Sequence, residues 1–427
     1  MMNIKLSLTK GVPFCKAKRG EIIATLFALS LSVSSFAQTS TENLKKHVYY
    51  LASEKLKGRG TGSSGEKLAA KYIAKQFKKY GLAPKGDGKS YFQTVEFKLP
   101  ANPHDTLAGG VKRRLTNVVG FIDNGAEYTI VIGAHYDHLG MGRDHNSLDA
   151  NPEGKPHYGA DDNASGTAGM LEMARHYTGN KVKEKYNFLF IAFSGEELGL
   201  IGSKKFTAKP TIDLGKVHFM INFDMIGRLS TETQKLIIYG VGTSPTFVPV
   251  ISTTSTTLSL KTDSSGVGPS DHTSFYLENI PVLHFFTGQH SDYHKPGDTP
   301  EKINYEGEKQ VVDYVIALTN KLIEYRKLQF TATKTKSEDT PKFKVTMGIM
   351  PDYAFEGAGV CVDGVTDGKP AAVAGLLRGD VIIKLGDVEV DGMQSYMKAL
   401  AAVKKGDTAT VIIQRGTEKL TKTVAFK

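Results

Sequence analysis

Five short segments of this 427-residue chain concentrate His, Asp and Glu. GAHYDHLG carries His135 and Asp137, GADDNASG carries Asp161 and Asp162, and FSGEELG carries Glu196 and Glu197. NFDMIGR adds Asp224, and SDYHKPGDT adds Asp292, Tyr293 and His294. Imidazole and carboxylate donors with no cysteine among them suit a hard-to-borderline divalent cation, and zinc fits that set best. Singly, each segment has a plainer meaning. An HxD pair is commonly a surface pair, Glu196-Glu197 could open a solvated helix, and Asp161-Asp162 could cap the next one near Ser165. Their combined order, at the ends of expected strands where open α/β sheets hold ligands, outweighs those readings.

GAHYDHLG, GADDNASG, SGEELGL, NFDMIGR and YHKPGDT resemble, in that order, the exported di-zinc aminopeptidases, relatives of glutaminyl cyclases and folate-hydrolase-type carboxypeptidases. The resemblance covers residues 42–326 approximately. It implies two zinc ions per chain, with His135, Asp162, Glu197, Asp224 and His294 as ligands. Asp162 would bridge the ions, His135 and Asp224 would complete one site, and Glu197 and His294 the other. Asp137 would stand behind His135 and hold its imidazole in the coordinating tautomer.

A bridging carboxylate brings two zinc ions within about 3.5–4 Å, so that water shared between them ionises near neutral pH. Glu196 cannot easily reach the ion that Glu197 holds, because adjacent side chains diverge. It is left facing the substrate as general base, and then as the acid that protonates the leaving amine. Tyr293 is, by similarity to the family, a candidate donor to the developing oxyanion; otherwise it is an ordinary packed tyrosine. His138, His145, His157 and His272 lie in or near the same loops and are expected in supporting roles, since the ligand set is already complete. His176, His218 and His284 fall on regular elements and are expected to be packed or partly exposed.

The expected reaction is removal of N-terminal residues from peptides with a free amino terminus. Carboxypeptidase action or glutaminyl cyclisation at the same site are the alternatives; cyclases with a similar pattern use one zinc. Many exported relatives insert a domain before the HxD motif, and the 18 residues 97–114 are too short for one, so no such lid is expected. The polar loop 141–157 is expected to rim the cleft.

The elements that must position these groups can be read from periodicity. Helical patterns at 42–56 and 66–80 flank LKGRGTGSSGEK, whose Gly60, Gly62 and Gly65 form a GxGxxG arrangement. A helix precedes it where a dinucleotide fingerprint needs a strand, so it reads as a turn. Strands are expected at 117–122, 128–132, 188–193, 218–223, 236–239 and 282–286, and helices at 166–176 and 306–326. Buried apolar strands separated by helices give an α/β fold. Its expected form is a mixed, largely parallel central sheet flanked by helices, the phosphorylase/hydrolase-like arrangement of zinc exopeptidases.

The two ends read differently. Lys5, Lys10, Lys16, Lys18 and Arg19 precede an apolar run, and Ser35-Phe36-Ala37 offers small residues to a signal peptidase. Residues 1–37 are therefore expected to be a signal peptide cleaved near Ala37, giving a periplasmic or secreted protein. The run is too short for a comfortable bilayer span, so no stable membrane anchor is expected after cleavage. The chain's formal charge is +10; without the leader's +4 it is +6 over 390 residues, with no long basic block. That distribution excludes a nucleic-acid binder, and 40% hydrophobic content excludes wholesale disorder. Cys15 leaves with the leader and Cys361 remains alone, so no intrachain disulfide is expected.

The peptidase unit is expected at 38–327, followed by a linker at 328–342 that includes TATKTKSEDTPK. Residues 343–427 resemble a small, mainly-β PDZ domain of the bacterial type, through PAAVAGLLRGDVIIKLGDVEV at 370–390. Met347, Gly348, Ile349 and Met350 sit where such domains receive a peptide carboxylate, and the peptide would join as an added strand. The plainer reading is a tail that steadies the peptidase. The rival function is a peptide-binding protein whose metal site is vestigial. Cys361, in VCVDGV, is expected to be a small buried hydrophobe.

Overall fold

The apolar runs of the middle of the chain become the parallel centre of a nine-stranded sheet. The computed structural model describes residues 39–102, 105–144, 146–333, 345–351, 355, 357–366 and 368–426. The expected leader, His145 and residues 334–344 of the expected linker lie outside the described residues. The strands are β1 (Ala83–Pro84), β2 (Phe92–Asn102), β3 (Asp105–Ile122), β4 (Thr129–His135), β5 (Asn187–Phe193), β6 (Val217–Phe223), β7 (Lys235–Tyr239), β8 (Ser259–Thr262) and β9 (Val282–Phe286). Their order is β1-β3-β5-β4-β6-β9-β7-β8, with β2 paired to β3. The four strands β5, β4, β6 and β9 run parallel, while β3 and β7 pack antiparallel on either side of them.

Every residue of β4, β5 and β6 is buried, because helices cover both faces. Alternation along each strand divides the core. Ile130, Ile132, Phe188, Phe190, Phe219 and Ile221 pack towards helices α1 (Thr41–Leu51), α2 (Ser64–Tyr80), α3 (Gly166–Gly179) and the long helix Tyr305–Leu322. Val131, Leu189, Ile191 and Met220 pack on the other face against Phe206 and Phe275. The segment 97–114, too short for an inserted domain, belongs to a two-stranded ribbon in which β2 and β3 pair from Phe92↔Val118 to Asn102↔Asp105. VEFKL at 95–99 alternates apolar and polar residues, the pattern of a half-exposed strand.

The GxGxxG segment is a turn. Ser63 caps α2 by accepting from Glu66 N, and a Cβ on Gly65 would lie 1.7 Å from Leu56 O, so only glycine fits there. Just before it, Arg59 is wholly buried. Its Nε donates to Tyr136 O at 2.7 Å, Nη1 to Leu51 O at 2.6 Å and Tyr158 O at 2.7 Å, and Nη2 to Gly159 O at 2.9 Å. Burial lowers its pKa to about 10, while Asp162, Asp137, Asp298 and Glu197 pull the other way, so the guanidinium stays charged. One side chain thus ties the end of α1, the exit of β4 and the turn before α3.

A second, antiparallel sheet follows: β10 (Ile349–Pro351), β11 (Val360–Val365), β12 (Val381–Leu385), β13 (Val388–Glu389), β14 (Thr408–Arg415) and β15 (Glu418–Ala425). It has its own core, including Met347, Val362, Ile382, Leu400 and Val411. Cys361 is half-buried, less enclosed than its apolar neighbours suggest. Residues 328–333, expected as linker, instead dock on the first unit. Leu328 N donates to His218 Nδ1 at 3.1 Å, Thr331 N donates to Thr243 O, and Phe330 packs on Tyr276, because both apolar side chains find cover there. Among the described residues no helix is long and apolar enough to cross a membrane.

Two measurements probe this scaffold. Replacing Arg59 by Met removes its hydrogen bonds to four carbonyls, and urea unfolding should show a loss of about 3 kcal/mol or more. His47 is buried between Tyr72 OH at 2.7 Å and Tyr80 OH at 3.1 Å. Burial, then the charges of Lys46, Lys79 and Arg175, lower its pKa to about 3. Its contribution is therefore present above the unfolded value and lost as pH falls through it. Between pH 7 and pH 5 the stability gap between wild type and His47→Asn should shrink by about 2 kcal/mol.

Candidate metal centre

The carboxyl ends of the parallel strands, and the loops that follow them, converge on one place. β4 ends in His135, β5 leads into Glu196 and Glu197, and β6 leads into Asp224. The turn before α3 supplies Asp162, and the loop after β9 supplies Tyr293 and His294. His135 Nε2 lies 3.3 Å from Asp162 Oδ1 and 3.3 Å from Asp224 Oδ1. His294 Nε2 lies 3.2 Å from Asp162 Oδ2 and 3.1 Å from Glu197 Oε2. Ligands held about 2.0–2.1 Å from a tetrahedral cation stand about 3.3–3.4 Å from one another. His135, Asp162 and Asp224 are spaced so that they could hold a cation, and their nitrogen and oxygen chemistry suits zinc. Two further groupings, His138-Asp162-Glu197 and His135-Glu196-Glu197, also place ligand atoms within 4.8 Å of one another.

Each imidazole is oriented from behind. His294 Nδ1 faces Asn146 O at 3.0 Å, which leaves Nε2 to point at the carboxylates. His135 Nδ1 faces the main-chain oxygen of Asp137 at 3.2 Å, with the Asp137 carboxylate at 3.7 Å. Asp137 thus backs His135 chiefly through its backbone. Its carboxylate accepts instead from Thr61 Oγ1 at 2.7 Å and Glu196 N at 3.3 Å.

Burial works against charge throughout this cluster, and the partners decide which groups keep it. Asp224 and Glu196 outweigh burial at His135, and Glu197 and Asp162 outweigh it at His294, so both pKa values stand well above the ordinary one. Burial opposes the ionisation of Asp162 and Glu197, yet the histidines hold the first well below its ordinary value and bring the second to about 2. Glu196 goes the other way: burial, then Asp224, Glu197 and Asp271, raise it well above the carboxylate range against the pull of His135. The site is a concentration of carboxylates whose balance calls for cations.

Glu196 faces a cavity of about 280 Å³ that His135, Asp162, Asp224, Tyr293 and His294 also line. Leu148, Met225 and Phe286 add apolar wall, and Leu148 puts the polar loop 141–157 at the rim. Tyr293 stacks on His294 with ring centroids 3.9 Å apart. Glu197 and Asp137 sit behind the lining, buried. Asp161 is turned away as a tie, accepting from Gly227 N at 2.7 Å and Ser165 Oγ at 3.0 Å. His272 stacks on His284 in the interior, and His157 holds Ser147 at 2.6 Å, whose hydroxyl donates to His294 O. His218 is buried against Tyr186, so it too is a packing residue.

One supporting residue was not legible as such, and another, His138, was expected in a supporting role without its partner being readable. Asp298 Oδ2 accepts from the backbone of Asp161 at 2.9 Å and of Asp162 at 3.0 Å, fixing the turn that presents the shared carboxylate. In sequence it lies within SDYHKPGDT, but nothing local shows that it reaches the turn of Asp162. His138 Nδ1 donates to Glu197 Oε1 at 2.7 Å, leaving Oε2 to face His294. That contact spans two motifs, and HYDH by itself does not predict it.

Comparison with known proteins agrees with this geometry. Residues 117–319 match peptidase family M28, and residues 329–426 match the PDZ domain. Aminopeptidase YwaD of Bacillus subtilis is 31% identical over 188 residues, 41% of this chain and 40% of that protein. Leucine aminopeptidase 2 of Arthroderma otae is 28% identical over 233 residues, 46% of this chain and 45% of the relative. The chain therefore spans less than half the length of these two relatives. In fold, it resembles a zinc aminopeptidase from Bacillus subtilis (TM-score 0.53, 19% identity, 71% of this chain and 97% of that one). It resembles a Bacteroides thetaiotaomicron glutaminyl cyclase as well (TM-score 0.53, 17% identity, 68% and 99%). The motif order and these matches lead to one statement: residues 117–319 form a peptidase family M28 domain and residues 329–426 a PDZ domain.

Proposed function

We propose that this protein is a di-zinc aminopeptidase that removes N-terminal residues from peptides with a free amino terminus. The observation that carries the reading is Asp162, which offers one carboxylate oxygen to His135 and the other to His294, beside a Glu196 that faces the cavity. In this reading His135, Asp162 and Asp224 hold one ion, and Asp162, Glu197 and His294 the other. Bound zinc would supply the Lewis acidity that polarises the scissile carbonyl and makes water a nucleophile near neutral pH.

The chain's own groups do the rest. Glu196 takes a proton from the attacking water and returns it to the departing amine nitrogen, so the carboxyl ends the cycle as it began. In the protein alone, burial and then Asp224, Glu197 and Asp271 raise the Glu196 carboxyl, and bound cations would lower it towards the ionised form that a general base needs. Tyr293, held against the His294 ring, can donate to the carbonyl oxygen as negative charge grows on it. The surplus carboxylates attract a free ammonium terminus, and Leu148, Met225 and Phe286 suit an apolar first side chain. The fold shared with a glutaminyl cyclase keeps cyclisation of N-terminal glutamine as the second reading. The names of the aminopeptidase relatives favour the first.

The PDZ unit would handle peptides too. A carboxylate received at Gly348 would compete with Thr346 Oγ1, which now accepts from Gly348 N at 3.1 Å. Residues 1–37 fit an export leader, so protein recovered from periplasm or medium should have the mass of a chain starting at Gln38.

The central test offers zinc-loaded protein and Glu196→Ala a mixture of free and N-acetylated peptides, some beginning with glutamine, followed by mass spectrometry. Stepwise loss from free amino termini should appear, and Glu196→Ala should be slower by about 10²–10⁴-fold while retaining two zinc ions by elemental analysis. Ammonia loss from N-terminal glutamine without stepwise cleavage would replace the reaction. Unchanged activity in Glu196→Ala would end the assigned role. Chelation should abolish turnover, and two equivalents of zinc should restore it.

A further inference from the structure

The second sheet reaches the cavity of the first unit. Ile349 and Pro351 of β10 border the same space as His135, Glu196 and His294. Two residues apart on one strand, they present their side chains on one face. Both are partly exposed, as wall residues must be. The histidine–carboxylate contacts lie within the first unit, and β10 adds apolar side chains to the wall of the same cavity. β10 is also an end strand: among the described residues it pairs with β11 alone, and its other edge is without a partner. An unpaired edge can accept an extended peptide as one more strand about 4.8 Å away. Pro351 has no N–H to donate, which ends any such pairing after a few residues.

We propose that β10 is the outer wall of the substrate cleft and holds the second and third residues of an extended peptide with apolar side chains at those positions. The proposal rests on the aminopeptidase reading of the site. A substrate whose first residue occupies the carboxylate–histidine cluster must lead its following residues out past this wall. Ile349 supplies apolar contact, and the free edge of β10 supplies main-chain hydrogen bonds. The C-terminal unit thereby selects substrates in cis, in place of an inserted lid before the HxD motif. Single-residue amides, which end at the scissile bond, do not reach it.

The test compares leucinamide with a tetrapeptide of sequence Leu-Leu-Val-Gly, using full-length zinc-loaded wild type, Ile349→Ala, Ile349→Arg and Val373→Ala. Val373, exposed on the short helix Pro370–Val373, is a control in the same unit. For Ile349→Arg, KM on the tetrapeptide should rise about 10-fold, the loss of one buried aliphatic side chain, with a smaller rise for Ile349→Ala. Leucinamide kinetics should stay near wild type in both, and Val373→Ala should match wild type on both substrates. Unchanged tetrapeptide kinetics in Ile349→Arg would overturn the proposal and leave the aminopeptidase reading intact. Equal losses on both substrates would also overturn it, since the effect would then be general. A wild type inactive on both substrates would remove the aminopeptidase reading, and this proposal with it.

Discussion

Everything near the cavity answers to one electrostatic constraint: several carboxylates are gathered in a small, largely water-excluded volume. Asp162, Glu196, Glu197 and Asp224 all face or back the same space, with Asp137 and Asp271 close behind. Burying ionised carboxylates without partners is prohibitively costly. In the protein alone the burden falls on His135 and His294, which are driven towards the protonated form, and on Glu196 and Asp271, which are driven towards the neutral one. The same imbalance is what a cation site requires before its cations arrive.

Holding such a cluster in register takes a rigid surround, and it is built mostly from backbone. Asp298 fixes two successive amides of the turn that carries Asp162, and Asn146 O orients His294. Asn163 Oδ1 accepts from Gly166 N and Met225 N, joining the start of α3 to the chain after β6. Arg59 closes the arrangement from the far side. Its four hydrogen bonds go to carbonyls, leaving its charge to be felt by the carboxylates without neutralising any one of them. A direct ion pair would have competed with a metal for its ligand; a charge held one layer back does not.

The second sheet changes the view of the tail. A domain appended after a linker is easily taken as independent, and its own core supports that separateness. Yet Leu328 and Phe330 anchor the start of the connection to the first unit, and Ile349 and Pro351 come to the cavity itself. Two peptide-handling surfaces then face one space, and the edge strand of one can serve the chemistry of the other.

Residue type and local spacing made a good part of this legible. Strand ends were marked by apolar runs turning abruptly into His, Asp and Glu, because a parallel sheet buries its strands completely and leaves function to the loops beyond them. The GxGxxG segment was readable as a turn because a helix precedes it. What the chain alone could not show were relations between segments distant in sequence. Asp298 reaching Asp162, His138 reaching Glu197 and Arg59 reaching Gly159 depend on how three loops close over one another. The alternating VEFKL of β2 was legible as a strand, whereas the docking of residues 328–333 was hidden because two apolar side chains among polar ones look like linker. The chemistry of the site was written locally; its geometry, and the approach of β10 to it, were decided only when the strands had been ordered in space.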